Sequence, residues 1–280
     1  MSKRDPRHLA ESLRSAHHGE LLVLPNAWDA LSARVFEEAG CRAVATTSAG
    51  VSWSLGYQDG EAVPWEEFVG ATRRIARAIS VPLTVDFEGG FSSTQTGLAE
   101  RVREIIDAGA VGLNLEDTAD RATHSLMSLD VAKQRVAVVR ETATRLGVPI
   151  VINARTDSYL VPGANVPFGD VVHRCREFLA AGADCVYPIG LADIGLIGQL
   201  VKELRAPINI VGRPGAPSLQ ELRAVGVARV STAASLSLHV AGVLLDDVVK
   251  LKETGSFEHL ASPFHYPRMQ KMFDGNPAPA

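Results

Sequence analysis

Lysine is scarce in this 280-residue chain, occurring only at positions 3, 133, 202, 250, 252 and 271. None lies in a β-type apolar run, so a Schiff-base mechanism lacks its amine nucleophile. Cysteine is scarcer still: Cys41, Cys175 and Cys185. Three thiols without C-x-x-C spacing build no disulfide framework and fit a reducing cytoplasm. Aromatics are 6% of residues, few platforms for stacking sugars or bases. The net charge of −4 and pI near 6.1 argue against a nucleic-acid binder relying on bulk charge. No run approaches about 18 uninterrupted apolar residues, so no membrane span is expected. The opening MSKRDPRHLAESLRSAHHGE has no apolar core of the signal-peptide kind. H-E-x-x-H, Walker A and G-x-G-x-x-G motifs are all missing. With 46% hydrophobic residues, disorder is excluded as well.

What is present is an alternation. Short β-branched runs occur at Leu21–Leu24, Ala43–Thr46, Leu83–Val85, Val111–Leu115, Ile150–Asn153, Asp184–Tyr187, Ile208–Val211 and Arg229–Ser231. Amphipathic helical patterns separate them: Leu31–Ala39, Glu66–Ile79, Leu98–Ala108, Val131–Leu146, Val171–Ala181, Ile194–Leu204 and Leu219–Val225. Strands separated by helices of that length imply parallel β-α units. Eight such strands predict an α/β fold, a (β/α)8 TIM barrel, rather than an open sheet of five or six. Glycines 40, 109, 182 and 226 stand where helices should end. The expected division is a barrel over residues 1–244, with a short N-terminal helix, and a C-terminal helical extension over 245–280. The extension's FEHLASPFHYPRMQKMF is apolar enough to dock on the barrel flank or on another subunit.

Barrel chemistry sits at the C-terminal ends of strands. LTVDFEGG places Asp86 and Glu88 two apart, on one face of a strand. LNLEDT adds Glu116 and Asp117 on the neighbouring strand end. Crowded carboxylates repel unless a cation or a proton lies among them. Oxygen donors without Cys or His favour Mg²⁺ or Mn²⁺. The competing reading is a set of helix-capping or salt-bridged acids. INARTD puts Arg155 on the next strand end, suited to clamp a carboxylate or phosphonate, or to bridge to Glu116 or Asp117. Ser48, Ala49 and Gly50 can offer a hydroxyl and amides to an anion. Asp59 lies in a Gly-rich loop, as a base, a ligand or a turn residue. VGRPGAPS and STAAS occupy the usual phosphate loops, but Pro214 and Pro217 remove amides and Ser218 reads equally as a helix cap.

Five stretches together, PNAWDALSARVFEEAG (25–40), SAGVSWSLGYQDGE (48–61), DFEGGF (86–91), LNLEDT (113–118) and INARTD (152–157), are highly specific. Through them the chain resembles the isocitrate lyase/phosphoenolpyruvate mutase superfamily over about residues 20 to 275. The resemblance implies a (β/α)8 barrel, Mg²⁺, and a small 2-oxo acid or its enolate as ligand. It also implies a homo-oligomer, dimer or tetramer, with a C-terminal helix exchanged between subunits. By the same resemblance Asp86, Glu88 and Glu116 are metal-site acids, directly or through water. Ser48 and Gly50, with Ala49 between them, hold the substrate carboxylate, and Asp59 is an acid near the reacting centre. Arg155 binds substrate oxygens, and Asn209 lines the site.

The departures bear on the reaction. Lyases of the family acting on isocitrate or methylisocitrate carry K-K-C-G-H in a mobile loop. Here the corresponding loop is TADRATHSLMSLD (118–130), without Cys or Lys. His124, or Arg121, is the candidate replacement proton donor. The expectation is a Mg²⁺-dependent lyase cleaving a C–C bond of a small 2-oxo or 2-hydroxy dicarboxylate. The alternatives are P–C chemistry of the phosphonopyruvate type and a catalytically inactive barrel that binds a 2-oxo acid.

Overall fold

The computed structural model describes residues 5–163 and 166–274. Eight parallel strand segments run in barrel order: β1 with β2 (Leu22–Leu24, Asn26–Ala27), β3 (Val44–Thr46), β4 (Leu83–Asp86), β5 (Gly112–Glu116), β8 (Val151–Thr156), β9 (Cys185–Pro188), β10 (Asn209–Val211) and β11 (Arg229–Ser231). Between β5 and β8 lies a small antiparallel hairpin, β6 (Thr118–Asp120) and β7 (Ser125–Leu126). The parallel ladder forms two arcs, β2-β3-β4-β5-β8-β9 and β1-β11-β10. The arcs meet at two seams. One is the single bridge Val186↔Ile208. The other is Pro25, which interrupts the ladder between β1 and β2 because it has no amide to donate. Asn26 stitches that seam: its Oδ1 accepts from the Thr232 amide at 2.7 Å and its Nδ2 donates to the Thr46 carbonyl at 2.6 Å.

All eight expected strands are present, with ends shifted by at most three residues. The connecting helices are α2 (Ala30–Glu38), α3 (Ser48–Ser54), α4 (Trp65–Ala78), α5 (Gln95–Asp107), α6 (Leu129–Leu146), α7 (Phe168–Ala180), α8 (Ile194–Leu204) and α9 (Leu219–Ala224). Their buried faces join the outward strand residues in one continuous apolar layer. The glycines expected to end helices all adopt left-handed backbone, Gly109 with φ 107°.

The N-terminal helix α1 (Pro6–Ala16) has a structural task. Its Ala10 and Leu13 pack with Leu22, Leu24, Ala43, Ala45, Val111 and Val151, residues at the strand starts. The helix therefore plugs the N-terminal end of the strands. Arg14 holds it there, donating to the Pro149 and Ile150 carbonyls at 3.0 and 3.2 Å and pairing with Asp184.

Residue 244, the expected boundary, lies inside α10 (Ser235–Thr254), which runs through it without a break. A last helix, α11 (Tyr266–Phe273), follows. No described helix is long and apolar enough to cross a membrane.

Candidate active site

Asp86 ends β4, and Glu88 lies beyond it in a turn, not on the strand. Glu88 has φ 50°, left-handed backbone that costs a non-glycine residue about 1–2 kcal/mol. The turn is held from below. Phe87 and Phe91 flank it and pack into Trp65 and Phe68, with Phe68 and Phe91 ring centroids 4.6 Å apart. Gly90 is required there: a Cβ would sit 2.5 Å from Leu98 Cδ1. Arg135 adds a hydrogen bond to the Gly89 carbonyl. Thus the side chain of Glu88 faces the strand ends although its backbone departs from the regular ladder, its carbonyl still accepting from the Glu116 amide at 2.9 Å.

Asp86 Oδ2 accepts from the Ser48 amide at 3.1 Å, and Oδ1 from Asn114 Nδ2 at 3.2 Å. Glu88 Oε2 accepts from the Glu61 amide at 3.0 Å and forms an ion pair with Arg121 Nη2, 2.7 Å away. Glu116 Oε1 accepts from Arg155 Nη1 at 2.7 Å, and its Oε2 lies 3.4 Å from Arg121. Burial pushes the Glu88 carboxyl up to about 9, with Arg121 opposing and Asp59, Asp86 and Glu116 adding to the rise. Burial likewise pushes Glu116 up to about 7, with Arg155 opposing. The ion-pair geometry favours charged acids and the burial favours neutral ones. Burial dominates because both side chains are almost wholly enclosed.

Arg155 is gripped from two sides. Its Nε and Nη2 donate to Asp157 at 2.6 and 2.9 Å, and Nη1 to Glu116. The expected bridge to Glu116 is therefore present, while the second partner is Asp157 and not Asp117. Asp117 instead takes the Asp157 amide at 2.9 Å and Arg174 at 2.9 Å, which makes it a support of the loop after β8. A guanidinium has five N–H donors, so two remain for a ligand.

Beneath the acids lies a buried relay. Asn114 Oδ1 accepts from Asn153 Nδ2 at 2.8 Å and from Arg229 Nη2 at 3.2 Å. Both donors face the oxygen, so the amide NH₂ must point at Asp86. Arg229 is fully buried, and its Nε and Nη1 find no partner among the described residues. Asn114 shares the strand face of Glu116 by its two-residue spacing, a signal the motif LNLE carries. A lone arginine opening β11 carries no such signal.

The other candidates fall in different places. Ser48, Ala49 and Gly50 open α3 rather than forming an irregular anion nest, and the Ser48 amide already serves Asp86. Gly50 has a packing reason of its own, since a Cβ there would meet Trp28 Cβ at 2.8 Å. Asp59 is exposed on the rim loop and within electrostatic reach of Glu88 and Arg121. His124 is exposed at the hairpin tip with φ 51°, and its electrostatic partner is Asp120, apart from the acid group. Asn209 is fully buried and hydrogen-bonded to Ser231 at 3.0 Å, so it braces neighbouring strands instead of facing open space. Ser218 is a helix cap, closed by a reciprocal capping box with Glu221. Cys175 and Cys185 are buried thiols pushed up to about 12 by burial, and no cysteine lies on the hairpin.

A cavity of about 890 Å³ opens beside the hairpin, lined in part by Gly60, Glu61, Gly89, Phe91, Arg121 and Arg135; Asp86, Glu88, Glu116 and Arg155 do not line it. A second hollow, of about 560 Å³, lies between α5 and α6 on the outer surface, away from the strand ends. Asp86, Glu88 and Glu116 present only carboxylate oxygens. Among the described residues no three acid, histidine or cysteine side chains gather tightly enough to ligate an ion directly. Carboxylate oxygens of this kind suit a hard cation such as Mg²⁺ or Mn²⁺ better than Zn²⁺.

A family model described as phosphoenolpyruvate phosphomutase matches residues 13–251. The 2-methylisocitrate lyase of Escherichia coli (strain K12) is 29% identical over 69% of this chain and 67% of its own length. A crystal structure from Burkholderia cenocepacia J2315 superposes with a TM-score of 0.88 at 30% identity, covering 96% of this chain and 97% of that one. The structure of oxaloacetate acetylhydrolase in complex with the product oxalate shares the fold, with a TM-score of 0.85 at 23% identity, over 96% and 94% of the two chains.

Proposed function

Because this chain belongs to the phosphoenolpyruvate phosphomutase family, whose relatives include lyases and mutases, we propose that it is a Mg²⁺-dependent carbon–carbon lyase. Mn²⁺ is the alternative ion. The substrate is a small 2-oxo or 2-hydroxy dicarboxylate, cleaved through an enolate. The observation that carries this reading is the buried acid group, Asp86, Glu88 and Glu116, set against Arg155 with no lysine or thiol nucleophile beside it among the described residues. Held among those acids, the ion supplies Lewis-acid polarisation of the substrate's oxo and carboxylate oxygens.

The chain's own groups do the rest. Breaking the C–C bond leaves its electron pair on C3: in a 2-oxo diacid losing CO₂ the pair delocalises onto the 2-oxo oxygen, and in a 2-hydroxy diacid, whose O–H proton leaves as the new C=O forms, it delocalises onto a distal carboxylate oxygen. Arg155, fixed by Glu116 and Asp157, offers its two uncommitted N–H groups to that oxygen. It is already oriented, so no reorganisation is needed as charge develops. Ser48, Ala49 and Gly50 hold the substrate carboxylate at the start of α3. Asp59 takes up the proton released from a 2-hydroxy substrate. Protonation of the enolate carbon falls to the hairpin over residues 118–126 or to solvent.

The test is an assay of the purified protein with Mg²⁺ against oxaloacetate, alkylmalate-type diacids and phosphonopyruvate. Turnover of a diacid, abolished by chelation and by Glu116→Gln, is the expected result. Turnover of phosphonopyruvate alone, with phosphate release, would replace C–C by P–C chemistry. Tight binding without turnover across the panel would make the protein a binding barrel.

The same reading includes a homo-oligomer, dimer or tetramer. α10 has no buried residue along its 20 positions. Leu244 and Leu245 are 61% and 65% exposed, and Phe257 is 69% exposed. An apolar stripe of that extent supports burial against a second copy.

A further inference from the structure

The hairpin of β6 and β7 is built to be self-sufficient at both ends. At its roots Thr118 Oγ1 donates to Asp157 at 2.8 Å and the Met127 amide donates to the Asp117 carbonyl at 2.8 Å. At its tip Asp120 accepts from the Ala122 amide at 2.9 Å and the Thr123 hydroxyl at 3.0 Å. Arg121 leaves this frame and reaches inward. Its Nη2 lies 2.7 Å from Glu88 and 3.4 Å from Glu116, two of the three acids assigned to the ion. The arginine side chain is 39% exposed while the acids are 1% and 2% exposed. A guanidinium on a surface hairpin therefore supplies positive charge to a buried acid group. Gly60 lines its path, and a Cβ there would lie 3.2 Å from Arg121 Cδ.

We propose that Arg121 is the resident counter-cation of the acid site, which it shares by exclusion with the divalent ion. The inference rests on the metal reading above. A guanidinium ion-paired with these carboxylates and an ion drawing on the same oxygens compete for the same lone pairs and repel each other. Binding of the ion therefore drives Arg121 out and frees the hairpin tip, while the roots at Asp117 and Asp157 stay in place. Arg121 then stands as a free cation at the cavity mouth, suited to the distal carboxylate of a diacid. Glu116 is thus never left as a bare buried carboxylate, and hairpin position reports metal occupancy.

The experiment is Mg²⁺ titration by calorimetry at pH 8.5 on the full chain, freed of metal beforehand. If the Arg121-bound state accounts for about nine-tenths of the metal-free protein, Arg121→Ala binds Mg²⁺ about tenfold tighter than wild type, a difference of about 1.4 kcal/mol. Arg121→Lys, which keeps the charge, stays close to wild type. In wild type, Mg²⁺ also speeds hydrogen exchange of residues 118–126; in Arg121→Ala that segment exchanges fast with or without the ion. Equal or weaker binding by Arg121→Ala, or hairpin exchange indifferent to Mg²⁺ in wild type, overturns the proposal. If wild-type binding is lost in Glu116→Gln but unchanged in Arg121→Ala, the metal site stands and this inference alone fails. If neither wild type nor Arg121→Ala binds Mg²⁺, both fail.

Discussion

Held in chelator, the protein should lose stability as pH rises from 6.5 to 8.5. The reason is Glu88. Its carboxyl is pushed up to about 9 in the fold, above the ordinary glutamate value it regains on unfolding. Across this window the folded chain holds a proton at Glu88 that the unfolded chain has lost. A group raised in this way stabilises the fold fully at low pH and loses that contribution as pH climbs through its folded value. One such proton gives a slope of about −1.4 kcal/mol per pH unit, hence about 2.5 kcal/mol over the interval. Glu116, raised to about 7, adds to the loss in the lower half of the window. The total is a sizeable part of the roughly 5–15 kcal/mol that holds a domain together. The limits of the window are chosen for their neighbours. Below it His17, buried and depressed to about 3, adds a slope of opposite sign. Above it the unfolded forms of Cys175 and Cys185 begin to ionise while the buried thiols do not. The assay is urea unfolding followed by tryptophan fluorescence at half-unit steps of pH. Glu88→Gln keeps the acceptor for the Glu61 amide and removes the titration, so it should flatten most of the slope. Saturating Mg²⁺ should flatten it as well, by displacing the proton. Stability that rises with pH in this window, or a slope unchanged in Glu88→Gln, would refute the reasoning.

Other outcomes follow from the same geometry. Asn114→Leu removes the acceptor shared by Asn153 and Arg229 and leaves a buried guanidinium without it; urea unfolding should show a loss of about 3 kcal/mol or more. Gly90→Ala combines a 2.5 Å approach to Leu98 with a φ of 89°; it should cost about 1–3 kcal/mol and, by moving the Glu88 turn, weaken Mg²⁺ binding in calorimetry. In the native protein a thiol reagent should modify Cys41 and spare the buried Cys175 and Cys185, and all three should react in denaturant, as counted by mass spectrometry. Leu244→Asp with Leu245→Asp should shift the particle mass in light scattering towards the monomer while leaving the far-ultraviolet circular dichroism unchanged.

Much of this protein was legible one residue at a time. Alternation of β-branched runs and amphipathic helices is local, and it marked all eight strands and their order. Spacing of two put Glu116 above Asn114, because side-chain direction in extended chain follows the backbone; Glu88 joins Asp86 from a left-handed turn beyond the strand, not by strand alternation. The absence of lysine and thiol from the strand ends needs no structure to be read. Other features belong to the tertiary structure alone. Asp157 rather than Asp117 grips Arg155, because pairing across strand ends depends on register and loop path, which no local pattern encodes. Asn209 turned inward to Ser231 because neighbouring strands bring the two together. The hairpin at 118–126 reads as a plain polar loop in sequence; only folding sets Arg121 over two buried acids. The enclosure that moves Glu88 and Glu116 from their ordinary ionisation is likewise a collective property. Composition and spacing name the groups present, whereas the closeness of distant segments decides which are charged and which face the cavity.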